Sequence, residues 1–209
     1  YHGWMNNVIV SVHSEPQVGG RAVPGTAGQP ASEYADAIAL PWNDLAAVEQ
    51  AFAQYPGQIA CVITEPINVN SGSCMPEDGY LAGLLELCRK HGALSIFDEV
   101  ITGFRIALGG AREYFGLQPD LSVYAKAMAG GFSMAAVGGR REVLEVLLDG
   151  RTMHAGTYNG NPICTAAAVA TIKALAEPGL YQRMDQHGLA IRRAAEQAAA
   201  ACGLTLATS

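Results

Sequence analysis

One continuous apolar run and the strand segment that follows it constrain this chain more than any other feature. Residues 59–64 read I-A-C-V-I-T and residues 93–97 read A-L-S-I-F. An apolar run without alternation is buried on both faces, as in a strand of a parallel sheet. Between them, residues 76–90 have helical periodicity, with Pro76 opening the helix, Leu81, Leu84, Leu85 and Cys88 facing inward and Gly92 closing it. Strand, helix and strand in that order make a βαβ unit. The alternation continues elsewhere. Further strands are expected at residues 8–12, 121–125 and 135–138. Helices are expected at 161–176, at 180–201 and at 44–54, the last capped by Asn43 with Leu45, Val48 and Phe52 on one face. The fold class is α/β, with a mostly parallel central sheet flanked by helices. Residues 14–39, rich in Gly, Pro and small polar side chains, read as a long loop of the kind that carries function. No repeat or linker divides the chain.

Composition narrows the function. At 209 residues the chain makes one large domain or one and a half, at roughly 150 residues per domain. Half of it is apolar, enough for a sizeable core and too much for a disordered segment. Charged residues are 15%, against about 25% in ordinary domains, so much surface is expected to be covered by core or partner. A net charge of −6 argues against a nucleic-acid partner. No stretch reaches the roughly 18 apolar residues of a membrane span. The chain opens on Tyr1 with no leader and stops in a strand-like segment, which reads as an internal piece of a longer protein. Five cysteines, with no C-x-x-C pair, suit free thiols in a reducing cytoplasm. Cys61, Cys88 and Cys164 lie in apolar segments and are expected to be buried. The histidines lack metal-ligand spacing, so no metal site is expected.

In an α/β sheet, ligands gather at the carboxyl ends of the strands. Three expected strands end in ionisable groups: Glu65, Asp98-Glu99 and Lys126. On spacing alone, an aspartate and a lysine facing one crevice read as a salt bridge. Gly130-Gly131 and Gly138-Gly139 lack the phosphate-loop and dinucleotide patterns, which speaks against a nucleotide-binding dehydrogenase.

The local text carries more. Asp98-Glu99-Val100-Ile101-Thr102-Gly103-Phe104-Arg105, then Pro119-Asp120-Leu121 before Ser122-Val123-Tyr124-Ala125-Lys126, resembles the class III pyridoxal-phosphate aminotransferases, enzymes of fold type I. The same likeness runs through Tyr1-His2-Gly3, Pro41-Trp42-Asn43-Asp44-Leu45, Glu65-Pro66-Ile67 and Asn70-Ser71-Gly72. It continues through Gly109-Gly110-Ala111-Arg112-Glu113-Tyr114-Phe115-Gly116 and Ala155-Gly156-Thr157-Tyr158-Asn159-Gly160-Asn161-Pro162. Within the class it looks most like the branch of glutamate-1-semialdehyde 2,1-aminomutase.

The resemblance implies roles. Lys126 would be the Schiff-base lysine and proton carrier, and Asp98 the partner of the pyridine nitrogen. Val100 and Tyr1 would pack on opposite faces of the ring, with His2 and Gly3 in the same cofactor-binding motif. Many class III enzymes have glutamine three residues after the aspartate; here that place is Ile101, which cannot donate, and Asn70 would bond the phenolic oxygen instead. Thr157 would hold the phosphate of the neighbouring subunit, which implies a homodimer; its plainer role is to cap the helix that follows. Glu65 would lie near the substrate or orient Asn70, and Ser14 would contact substrate. The chain would be the central part of the cofactor-binding large domain, without the N-terminal segment and the small C-terminal domain. The activity implied is that of an aminotransferase or aminomutase. The alternatives are a transaminase acting on a β-amino acid or amino sugar, and a truncated relative that only dimerises.

Overall fold

Strand β1 (Cys61–Thr64) and strand β2 (Leu94–Asp98) pair in parallel, with Cys61 opposite Leu94 and Thr64 opposite Phe97. Their connection contains helix α3 (Tyr80–His91), as the sequence pattern predicts. The computed structural model describes residues 1–12 and 20–206. It forms two compact units, Tyr1–Asp98 and Glu99–Ser209.

The first unit has its core under the parallel pair. A short helix α1 (Ala31–Tyr34) precedes helix α2 (Leu45–Gln54), which packs on α3, and α3 packs on β2. Val48, Phe52, Leu81, Leu84, Cys88 and Phe97 are buried. Helix α2 is capped by Asp44, whose carboxylate accepts from the Ala47 N–H at 2.9 Å; Asn43, the expected cap, instead has φ +65° and accepts from the Glu77 N–H. Helix α3 begins at Tyr80 and not at Pro76, because Gly79 with φ +84° breaks the backbone just before it. Residues 8–12 form no strand. The Met5 carbonyl accepts from the N–H groups of Val8 and Ile9, turning the chain, and a single bridge joins Val10 to Pro24.

The second unit contains helix α4 (Gly110–Tyr114), strand β3 (Leu121–Tyr124) and strand β4 (Ala136–Gly139). Strands β3 and β4 are antiparallel, with Tyr124 opposite Ala136. Their connection is a 3-10 turn, Lys126–Ala129, followed by Gly130 and Gly131 at φ +59° and +103°. Those glycines fold the chain back, where a parallel return would need a crossover of a dozen or more residues. Three helices follow: α5 (Arg141–Leu144), α6 (Pro162–Leu175) and α7 (Leu180–Ala201). Helix α6 packs on the 3-10 turn, burying Ala168 with Met128 and Ala129. Among the described residues, no single helix is long and apolar enough to cross a membrane. The cysteines are free; Cys88 is buried, but Cys61 is exposed, correcting the expectation drawn from its apolar run.

Candidate active site

Chemistry collects where β1 and β2 end. Asp98 closes β2 and is buried, and the His2 ring nitrogen Nδ1 stands 2.7 Å from Asp98 Oδ2. A hydrogen bond to an imidazole N–H favours the charged form of a carboxylate and fixes its orientation. The sequence motif contains His2 but does not reveal this contact, which joins residues 96 positions apart. Gly3 follows at φ +118°, a backbone that favours glycine, and Tyr1 is exposed.

Glu65, buried, follows β1 directly. Its Oε1 accepts from Asn70 Nδ2 at 2.6 Å, and its backbone carbonyl accepts from Trp42 Nε1 at 3.2 Å and from Thr64 Oγ1 at 3.0 Å. Trp42 also donates to Thr64 Oγ1 and packs edge-on against Tyr80. Asn70 sits in the 3-10 turn Val69–Ser71, closed by Gly72 at φ +101°. A carboxylate only accepts, so the Asn70 amide must turn its NH2 towards Glu65, leaving the second N–H for another acceptor.

In the second unit, Lys126 is the second residue after β3 and opens the 3-10 turn. It is exposed and has φ +39°, in the left-handed region that favours glycine. Ala125 before it is also irregular, at φ −160° and ψ −140°. Strained backbone at a residue with a reactive side chain is a mark of functional sites. Val100 is half-buried in the turn after β2, beside half-buried Ile101. Thr157 is exposed ahead of α6 but does not cap it. Asn161 does, its Oδ1 accepting from the N–H groups of Ile163 and Cys164. Ser14 lies outside the described residues.

The sequence places Glu99 at a strand end but gives it no role of its own. Glu99 is completely buried, accepting from the Ala111 N–H at 2.5 Å, from Thr102 Oγ1 at 3.0 Å and from the Arg112 N–H at 3.1 Å. Burial pushes its carboxyl above the usual glutamate range against the pull of these donors. The Gly109-Gly110 pair was the available sign. A side chain at Gly110 would collide with Glu99 Oε2.

The aminotransferase class-III family model matches residues 1–202. The chain belongs to the class-III aminotransferase family. The glutamate-1-semialdehyde 2,1-aminomutase of Sorangium cellulosum (strain So ce56) is 47% identical over 208 residues, covering 97% of this chain and 47% of that protein. Among solved structures, a transaminase with PLP bound overlays with a TM-score of 0.88 at 27% identity, over 98% of this chain and 48% of the other. A glutamate-1-semialdehyde aminomutase from Pseudomonas aeruginosa PAO1 overlays with a TM-score of 0.74 at 33% identity, over 89% and 42%. This class-III chain spans about half the length of the curated relatives it matches. Its α/β fold is that of the transaminases.

Proposed function

We propose that the protein containing this chain is a pyridoxal-phosphate-dependent enzyme of the glutamate-1-semialdehyde 2,1-aminomutase type. The observation that carries the reading is the buried Asp98–His2 pair at the end of a parallel strand, in a chain 47% identical to such an aminomutase.

The side chains fit the cofactor. Its pyridine nitrogen needs an anion kept out of water, and Asp98 is a buried carboxylate steadied by His2. Its phenolic oxygen needs a donor, and Asn70 has an N–H to spare beyond the one given to Glu65. Val100 and Tyr1 would take the ring faces. Thr157, which is not engaged in capping α6, would supply its hydroxyl to the phosphate of a neighbouring subunit. When bound, the cofactor supplies an electron sink for the carbanion left after proton removal. Lys126 would hold the cofactor through its Nζ and would be the group that carries the proton taken from the substrate carbon bearing the amino group. For this it must be neutral at the moment of transfer. Asp98, held by His2, would pair with the ring nitrogen. In an aminomutase the amino group returns to the adjacent carbon of the same molecule; in a transaminase it passes to a second keto substrate. The protein is assigned to the cytoplasm, whose reducing conditions suit its free thiols.

A transaminase acting on another amino substrate, such as a β-amino acid or amino sugar, is the second reading. It is favoured by the TM-score of 0.88 to a transaminase. A non-catalytic relative is disfavoured by the intact Asp98–His2 pair and by the backbone strain kept at Lys126.

The test is an absorbance spectrum of the full-length protein with pyridoxal phosphate, before and after borohydride. A band near ~410–430 nm, fixed by borohydride on the peptide containing Lys126, is the expected result for a protein-tuned cofactor. No band, or a label on another lysine, rejects the assignment. Glutamate-1-semialdehyde turnover without a second keto substrate then separates mutase from transaminase.

A further inference from the structure

Glu99 is not assigned to cofactor or substrate, yet its carboxylate is fully buried and takes three hydrogen bonds. Besides the three donors on its side chain, its N–H donates to the Val123 carbonyl at 2.9 Å and its own carbonyl accepts from the Gly103 N–H at 2.8 Å. The neighbourhood is shaped around it. Gly110 has φ +73° and no room for a Cβ beside Oε2. A Cβ at Gly103 would stand 2.6 Å from the Tyr124 ring and 2.7 Å from the Glu99 carbonyl. The turn over residues 99–103 is thus bound to α4 by a side chain, to β3 by backbone, and pressed against Tyr124. Val100 lies inside this turn, and Lys126 follows Tyr124 by two residues. A buried carboxylate used only as filler is unfavourable compared with an apolar side chain of the same volume.

We propose that Glu99 is a positioning residue: its carboxylate ties the 99–103 turn to the start of α4 and so sets Val100 and the end of β3 that delivers Lys126. The roles of Val100 and Lys126 rest on the reading above; the anchor itself does not.

The decisive variant is Glu99→Gln in the full-length protein. Glutamine keeps the shape but replaces one acceptor oxygen with an NH2, so one side of the anchor faces a donor with a donor. Hydrogen exchange without cofactor should quicken roughly tenfold or more at residues 100–103 and 123–126, with α3 unchanged. With pyridoxal phosphate added, affinity should fall by about tenfold and the pH midpoint of the absorbance band should move, since the anchor of the residues around the ring is weakened. Faster exchange with wild-type affinity and midpoint makes Glu99 a fold staple only and overturns the proposal, as does wild-type exchange. If Glu99→Gln does not fold, Thr102→Val removes one donor and leaves the carboxylate. A smaller change in the same direction then supports the anchor, and wild-type values overturn it. If the wild-type protein forms no band at all, the aminotransferase reading fails, and exchange at the two segments alone decides the anchor.

Discussion

Residues 1–98 and residues 99–209 hold their functional groups in opposite ways. In the first unit these polar side chains are paired, each pair with one buried member: Asp98 with His2, Glu65 with Asn70, Thr64 with Trp42. The core around them is closed, with Leu84 only 1% exposed and Phe97 fully buried. In the second unit Lys126 and Thr157 lie exposed, the lysine on strained backbone. The 22 residues of α7 bury none of their number, and Leu148, Ile163 and Ile191 are 83%, 66% and 71% exposed. The first unit pairs its polar groups internally. In the second, Lys126, the proposed reacting group, is exposed, and so is much apolar surface. Such exposed apolar area marks association surfaces, and the proposed role of Thr157 would need one.

The largest difference between the two units is expected at Lys126. Lys126→Ala in the full-length protein should abolish turnover and borohydride labelling together; retained turnover would show that the exposed lysine is not the reacting one. Asp98→Asn should leave cofactor bound but slow turnover by roughly 10²–10⁴-fold, as expected when proton transfer loses its electrostatic support; near-normal rates in a stopped-flow assay would mean another group serves the ring nitrogen. The packing contrast comes next. Leu84→Ala should cost about 2–5 kcal/mol by denaturant unfolding, whereas Ile191→Ala in the isolated chain should stay within about 0.5 kcal/mol. A larger loss at Ile191 in the full-length protein would show that α7 is covered there. Thr157→Ala should weaken cofactor binding by roughly tenfold, the worth of one charge-assisted hydrogen bond. Mixing it with Lys126→Ala protein should restore activity above that of either variant alone, because one site of the mixed dimer keeps both residues. If mixing restores nothing, Thr157 serves its own subunit.

Much of this was legible in the sequence because it rests on short-range chemistry. The parallel pair, helix α3 and the closing Gly92 follow from periodicity and from a glycine at φ +72°. The placement of Asp98 and Lys126 at strand ends follows from where the apolar runs stop. What stayed hidden depends on contacts distant in sequence or on backbone detail. The short β-branched run at residues 8–12 has strand propensity, but the Met5 carbonyl claims its first N–H groups for a turn. Asn43 and Asp44 are both good caps, and only the observed φ of +65° at Asn43 shows which one is used. Nothing near Asp98 in the chain points to His2, and nothing in the Asp98-Glu99 doublet says that its second member turns into the interior.

If Lys126 is the reacting amine, its left-handed backbone sets thermodynamic stability against catalysis at a single position. Holding a side chain in that region costs of order 1–3 kcal/mol, and glycine would not bear that cost. Lys126→Gly should therefore yield a protein that melts at a higher temperature than Lys126→Ala while being equally inert. If so, the fold keeps a less stable residue at the position proposed for the reacting amine.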